Sequence, residues 1–180
     1  MQGRVRSALA LAVAAAAGVA MAQEKCNGHA ELCGRRYSEV SFAAAHDAPF
    51  VGNTLFHTQF TYPENAFTQG IRYFTTQVHD KNGGIEQCHT SCALLDVGPF
   101  HEILTSIKNK LDANPREVAT LLVTSHLENG DILERFRKEF EDTGTDKLAF
   151  APNGDLAFDQ WPTLGELIDS GKRLVVFLGM

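Results

Sequence analysis

The sequence predicts an α/β fold built around a parallel sheet, on three observations. Residues 118–124 (VATLLVT) and 173–178 (RLVVFL) are unbroken apolar runs, the pattern of strands buried on both faces. Between such runs lie segments of helical period: Ile103, Leu104, Ile107 and Leu111 share one face of a helix over Phe100–Leu111. The composition, 44% hydrophobic and 21% charged over 180 residues, is that of a globular domain. Strand-helix alternation of this kind argues for a parallel sheet of about five strands.

The elements follow in chain order. Residues 1–22 carry Arg4 and Arg6, an Ala-rich run from Ala8 to Val19, and Ala20-Met21-Ala22, an A-x-A cleavage signature. They read as a secretory signal peptide, too short and too alanine-rich for a membrane anchor. Residues 23–180 then form one domain of an extracellular protein with no remaining membrane span. Tyr37–Ala45 is a β-like run that ends at His46-Asp47. Asn53–Gly70 is a polar-aromatic loop leading into a short helix. Ile71–Val78 is a strand, Asn82-Gly83-Gly84 a turn, and Ile85–His89 a second short strand. Asn114-Pro115 stops the helix over Phe100–Leu111. Asp131–Glu141 is a charged helix and Leu148–Phe150 a brief strand. Thr163 caps a helix to Ser170, with Glu166 at the capping-box position. A final strand so close to Met180, with no helix after it to cover Leu174–Phe177, implies a sequence shorter than its fold.

In a secreted chain the four cysteines are disulfide candidates. Three pairings are possible. The simplest is two local staples, Cys26 with Cys33 and Cys88 with Cys92; the latter requires a turn directly after Cys88. Zinc binding by Cys88, His89 and Cys92 competes, but no second ligand pair has zinc-site spacing. With 16 basic against 22 acidic residues and a net charge of −6, neither a nucleic-acid partner nor a charge-driven membrane surface is expected.

His46 and His89 both stand at predicted strand ends, where α/β folds build their sites. Two imidazoles can cleave a phosphodiester as base and acid, and an adjacent carboxylate such as Asp47 can orient one of them.

The wider pattern carries a resemblance. YSEVSFAAAHDAPFVG, QGIRYFTTQVHD, QCHTSCALLDVGPF, LDANPREVATLLV and RLVVFL occur in that order. Together they resemble the secreted fungal branch of the phosphatidylinositol-specific phospholipase C, X-domain-like superfamily, from about Cys26 to the C-terminus. The resemblance implies a TIM-type (β/α) barrel, incomplete at the C-terminal end, with its site at the C-terminal mouth. It implies a secreted phosphoric diester hydrolase or lyase acting on a phosphodiester or phospholipid headgroup as a monomer, without a metal or other cofactor. His46 matches the family's base, His89 its acid, and Asp47 the acidic residue after the first histidine.

One departure matters. Bacterial relatives place Asp-x-Arg after this GIRYF segment and animal relatives Glu-x-Asp, the latter with calcium. Here Thr75 and Gln77 occupy those positions. With period 2 they share a strand face with His79, and Arg72 lies on the other. Gln77 is expected to donate to the phosphate, with His79 as a substitute cation; Arg72 is expected in a structural ion pair. His126 follows the VATLLVTS strand and can reach the same mouth. The alternative is a catalytically inactive barrel that binds a lipid or carbohydrate headgroup. Clustered carboxylates for a metal-dependent phosphodiesterase are not found on the second strand.

Overall fold

The computed structural model describes residues 24–179, so the expected signal segment lies outside the described residues. Six strands and four α-helices follow the chain: β1 (Ala44–Ala45), α1 (Pro63–Thr68), β2 (Tyr73–Lys81), β3 (Gly84–Cys88), β4 (Asp96–Pro99), α2 (His101–Ala113), β5 (Ala119–His126), α3 (Ile132–Thr143), α4 (Leu164–Asp169) and β6 (Leu174–Gly179). The sheet order is β4-β3-β2-β5-β6, with β1 also on β2. β1, β2, β5 and β6 pair in parallel. β3 and β4 form an antiparallel excursion on β2. Among the described residues the sheet does not close, and no helix is long and apolar enough to cross a membrane.

Strand periodicity divides the sheet into two faces. The outer face carries Phe74, Val78, Leu121, Val123 and Leu174. These pack with Phe67 of α1, Ile103, Leu104, Ile107 and Leu111 of α2, and Phe136 of α3 in one buried cluster. Each such side chain contributes roughly 1.5–3 kcal/mol through burial. The inner face carries Tyr73, Thr75, Gln77 and His79, in register with Thr120, Leu122, Thr124 and His126 of β5.

At the lower end of that inner face Tyr37 donates to or accepts from the Thr120 hydroxyl at 2.7 Å. The Tyr37 ring stacks on Trp161, centroids 4.9 Å apart, and burial pushes its phenol up to about 12. Trp161 also meets Phe150 and Phe177, so it is an anchor for the sheet. Replacing Tyr37 by Phe leaves the fully buried Thr120 hydroxyl without its partner. The expected cost is about 1–3 kcal/mol, read as a lower urea midpoint; an unchanged midpoint would remove this bond from the account of stability.

Four features differ from the sequence expectation. Tyr37–Ala45 is a 3-10 turn at Tyr37–Glu39 and an extended segment, and only Ala44–Ala45 pairs, with Tyr73 and Phe74. β4 is unforeseen, because Asp-Val-Gly-Pro has a loop's composition. Its pairing with β3, and that of β3 with β2, is antiparallel where a parallel sheet was expected. Asn82 and Gly83 supply the reason at the β2–β3 hairpin: both have positive φ, 54° and 83°, the conformation of a tight two-residue turn that returns the chain antiparallel. Leu148–Phe150 contributes only a bridge from Ala149 to Leu174. The expected α4 cap and the expected Arg72 ion pair are both present. Thr163 caps α4, with Glu166 accepting from the Thr163 amide at 2.7 Å. Arg72 pairs with Glu117 at 2.7 Å and lies 3.8 Å over the Phe67 ring.

Candidate active site

The site begins where β1 ends. Ala45 is followed by His46 and Asp47, and Asp47 adopts φ 48°, a left-handed conformation that costs free energy in a non-glycine residue. Four hydrogen bonds, with three neighbours, hold it there. The Asp47 amide donates to Thr75 Oγ1 at 2.7 Å and the Ala48 amide to the Thr75 carbonyl at 2.8 Å. Thr58 Oγ1 donates to the Asp47 carbonyl at 2.8 Å, and Gln59 Nε2 to the His46 carbonyl at 2.6 Å. The strained turn thus aims the Asp47 side chain into the fold, where it is only 3% exposed.

A buried carboxylate needs partners. Gln77 Nε2 donates to Asp47 Oδ2 at 2.6 Å, and Gln77 Oε1 accepts from the Thr90 amide at 3.2 Å. Only one orientation of the amide satisfies both an acceptor and a donor. Gln77, expected as a phosphate donor, is therefore a bracket between the Asp47 carboxylate and the loop after β3.

That loop positions the second histidine. The Cys88–Cys92 disulfide forces the chain to turn after β3, as a local staple requires. The His89 amide donates to the Leu95 carbonyl at 3.0 Å, and the His89 ring lies on Phe50, centroids 5.3 Å apart. Cys26 and Cys33 form the other staple. With all four sulfurs in disulfides, the zinc reading of Cys88 and Cys92 is discarded.

These pieces converge on one oxygen. His46 Nε2 lies 3.4 Å and His89 Nε2 3.7 Å from Asp47 Oδ2. The two nitrogens are therefore no farther apart than those two legs laid end to end. Both contacts are longer than ordinary hydrogen bonds. The two rings differ in setting: the His46 side chain is 76% exposed and that of His89 22%, with its Nδ1 buried and unpartnered. His79 lies one strand repeat beyond Gln77 on the same face, with its ring stacked on His126. Sequence reasoning missed Phe50, Thr58 and Gln59, which lie in a loop without periodicity. It saw Thr75 only as a departure.

A profile of the PI-PLC X family, described as PI-PLC X 1, matches residues 32–180. The chain belongs to the PI-PLC X family. A PI-PLC X domain-containing protein from the fungus Arthroderma benhamiae is 46% identical over 159 residues, 85% of this chain and 50% of the relative. A second protein of that fungus, described as an uncharacterized secreted protein, is 37% identical over 158 residues, 85% of this chain and 35% of its own length. This PI-PLC X chain thus spans about half the length, or less, of those curated relatives. Among solved structures, a phosphatidylinositol-specific phospholipase C from Staphylococcus aureus superposes with TM-score 0.65 at 18% identity, over 82% of this chain and 50% of that one. The enzyme of that name from Listeria monocytogenes gives 0.57 at 17% identity, over 79% and 52%. The open sheet of this PI-PLC X chain is accordingly an arc of a TIM-type barrel.

Proposed function

We propose that the protein is a secreted phospholipase C-like phosphodiesterase, in which His46 is the general base, His89 the general acid and Asp47 the carboxylate that both rings face. The observation that carries the reading is the meeting of two imidazoles at one Asp47 oxygen. One ring takes the proton from the attacking hydroxyl, of a neighbouring headgroup carbon or of water. The other gives a proton to the departing oxygen. Asp47 pairs electrostatically with whichever ring holds the proton, and Gln77 and Thr75 keep Asp47 in place. The experiment is turnover of phosphatidylinositol vesicles and of a soluble p-nitrophenyl phosphodiester by the intact protein, with His46→Ala and His89→Ala beside it.

A lipid substrate fits the rim. Leu55 is 99%, Phe60 92%, Tyr62 57% and Phe56 44% exposed, all in the segment between β1 and α1. No Asp, Glu, Lys or Arg occurs from Ala48 to Tyr62. Gln59 of this segment bonds the His46 carbonyl, so the apolar tip is tied to the site. On a chain of net charge −6 such a tip suits a neutral lipid surface better than an anionic one. Leu55→Ser with Phe60→Ser is expected to weaken binding to phosphatidylcholine vesicles by about tenfold or more, while hydrolysis of the soluble diester stays unchanged. Equal sedimentation with vesicles would remove the loop from the lipid contact.

A second reading, a headgroup-binding barrel without catalysis, is favoured by the neutral Thr75 and Gln77, which leave that strand position without a guanidinium or a carboxylate pair. Headgroup binding with no turnover in the wild-type protein, and binding that survives loss of both histidines, would select it.

A further inference from the structure

The inner face of the sheet poses an electrostatic problem. A phosphodiester carries a negative charge, and the proposed site already holds the Asp47 carboxylate. Cations on this face are scarce. The inward positions of β5 and β6 are Thr120, Leu122, Thr124 and His126, and Val175, Phe177 and Gly179. Lys81, at the hairpin tip of β2, is bound to Asp96. Arg135, from α3, is held by Asp80 at 2.5 Å and by the Gly84 carbonyl at 3.1 Å. Arg72 and Arg173 face away, one on Glu117 and one on the carbonyls of Leu111 and Asn114.

What remains is a pair of imidazoles. His79 and His126 are register partners on β2 and β5, and their rings stack with centroids 4.5 Å apart and planes 20° apart. His79 lies two residues beyond Gln77 on the same face, roughly 7 Å toward the mouth. Its Nε2 is buried and has no hydrogen-bond partner among the described residues, a costly condition that calls for a physical reason. On the opposite side of β2, His79 pairs in register with Glu86 of β3, whose carboxyl is held up by burial and by the nearby Asp96.

We propose that the His79–His126 stack is the phosphoryl-oxygen contact of this site, and that it takes up one proton from solvent as the phosphodiester anion binds. This rests on the phosphodiesterase reading for its substrate, not for its test. Stacked imidazoles tolerate one positive charge between them and resist two, because the second proton meets the first at ring-stacking distance. Burial, and then the neighbouring His126, hold His79 below the usual histidine range, which favours its neutral form until an anion lies against it. An anion lodged against the rings favours the protonated form, and binding and protonation become linked. No bond is broken: the proton comes from water or buffer and returns there on release.

The probe is glycerophosphoinositol, a diester that stays monoanionic across the range used. Calorimetry with the intact protein at pH 7, in two buffers of different ionisation enthalpy, is expected to show net proton uptake of up to one per ligand, and affinity rising as the pH falls toward 6. His79→Gln and His126→Gln are each expected to abolish the uptake, flatten the pH dependence and weaken binding about tenfold, the effect of losing a charge-assisted contact. His46→Ala, a variant of the proposed base, is expected to keep the uptake, so an uptake that vanishes only in that variant overturns the proposal. So does unchanged uptake and affinity in both glutamine variants, with the fold checked by circular dichroism. If the wild type binds with proton uptake yet hydrolyses nothing, the contact stands and the phosphodiesterase reading fails. If turnover needs His46 but ignores His79 and His126, the reverse holds.

Discussion

His46→Ala is expected to lower turnover of phosphatidylinositol by about 10²- to 10⁴-fold, the range a positioned general base supplies. The change is clean, because the His46 side chain is 76% exposed and holds no part of the core; stability should move by no more than about 0.5 kcal/mol. His89→Ala is expected to cause a comparable loss on the lipid, with some loss of stability as well, since its ring covers the buried Phe50. The two variants separate on a p-nitrophenyl diester. Its leaving group departs without needing a proton, so loss of the acid is masked and loss of the base is not. The expected pattern is that His89→Ala recovers most of its rate on the activated substrate and His46→Ala does not. The opposite pattern would exchange the two roles. Unchanged turnover of both substrates in both variants would end the enzymatic account.

The two histidines of the proposed pair were legible in the sequence because each follows a recognisable apolar or β-like run. SFAAA ends at His46 and IEQC at His89, and the Cys88–Cys92 spacing forced the turn that the structure contains. The parallel frame of β2, β5 and β6 was legible because VATLLVT and RLVVFL are dominated by apolar residues, the pattern of strands covered on both faces. What failed was whatever depends on a contact between segments distant in the chain. Period 2 placed Gln77 on the inner face, but nothing in that rule says that Asp47 and Thr90 take both ends of its amide. β3 was read as a strand, but β4 was missed because it is held by its pairing with β3 rather than by its own composition. The His79–His126 stack needed the register of two strands separated by α2. The resemblance supplied the roles of His46, Asp47 and His89; period 2 alone would have offered several polar residues without order among them.

Asp47 admits a sharper test than either histidine, because its charge and its shape can be removed separately. Asn keeps the shape. It tolerates the left-handed φ of 48°, and its side-chain oxygen can still accept from Gln77 Nε2. Asp47→Asn therefore deletes the negative charge that faces both rings and leaves the turn standing. The expected loss in turnover is about 10²-fold or more, the lower end of what a positioned acid–base group contributes, with an unchanged urea midpoint. Asp47→Ala deletes both. It strands the Gln77 amide, puts a residue with no polar side chain in the left-handed region, and is expected to destabilise by about 2 kcal/mol or more. If Asp47→Asn retained full turnover, the carboxylate would be only a structural peg for the His46 turn. The two imidazoles would then have to work without a shared counter-charge, and the tight bracket built around Asp47 by Thr58, Thr75 and Gln77 would serve folding alone.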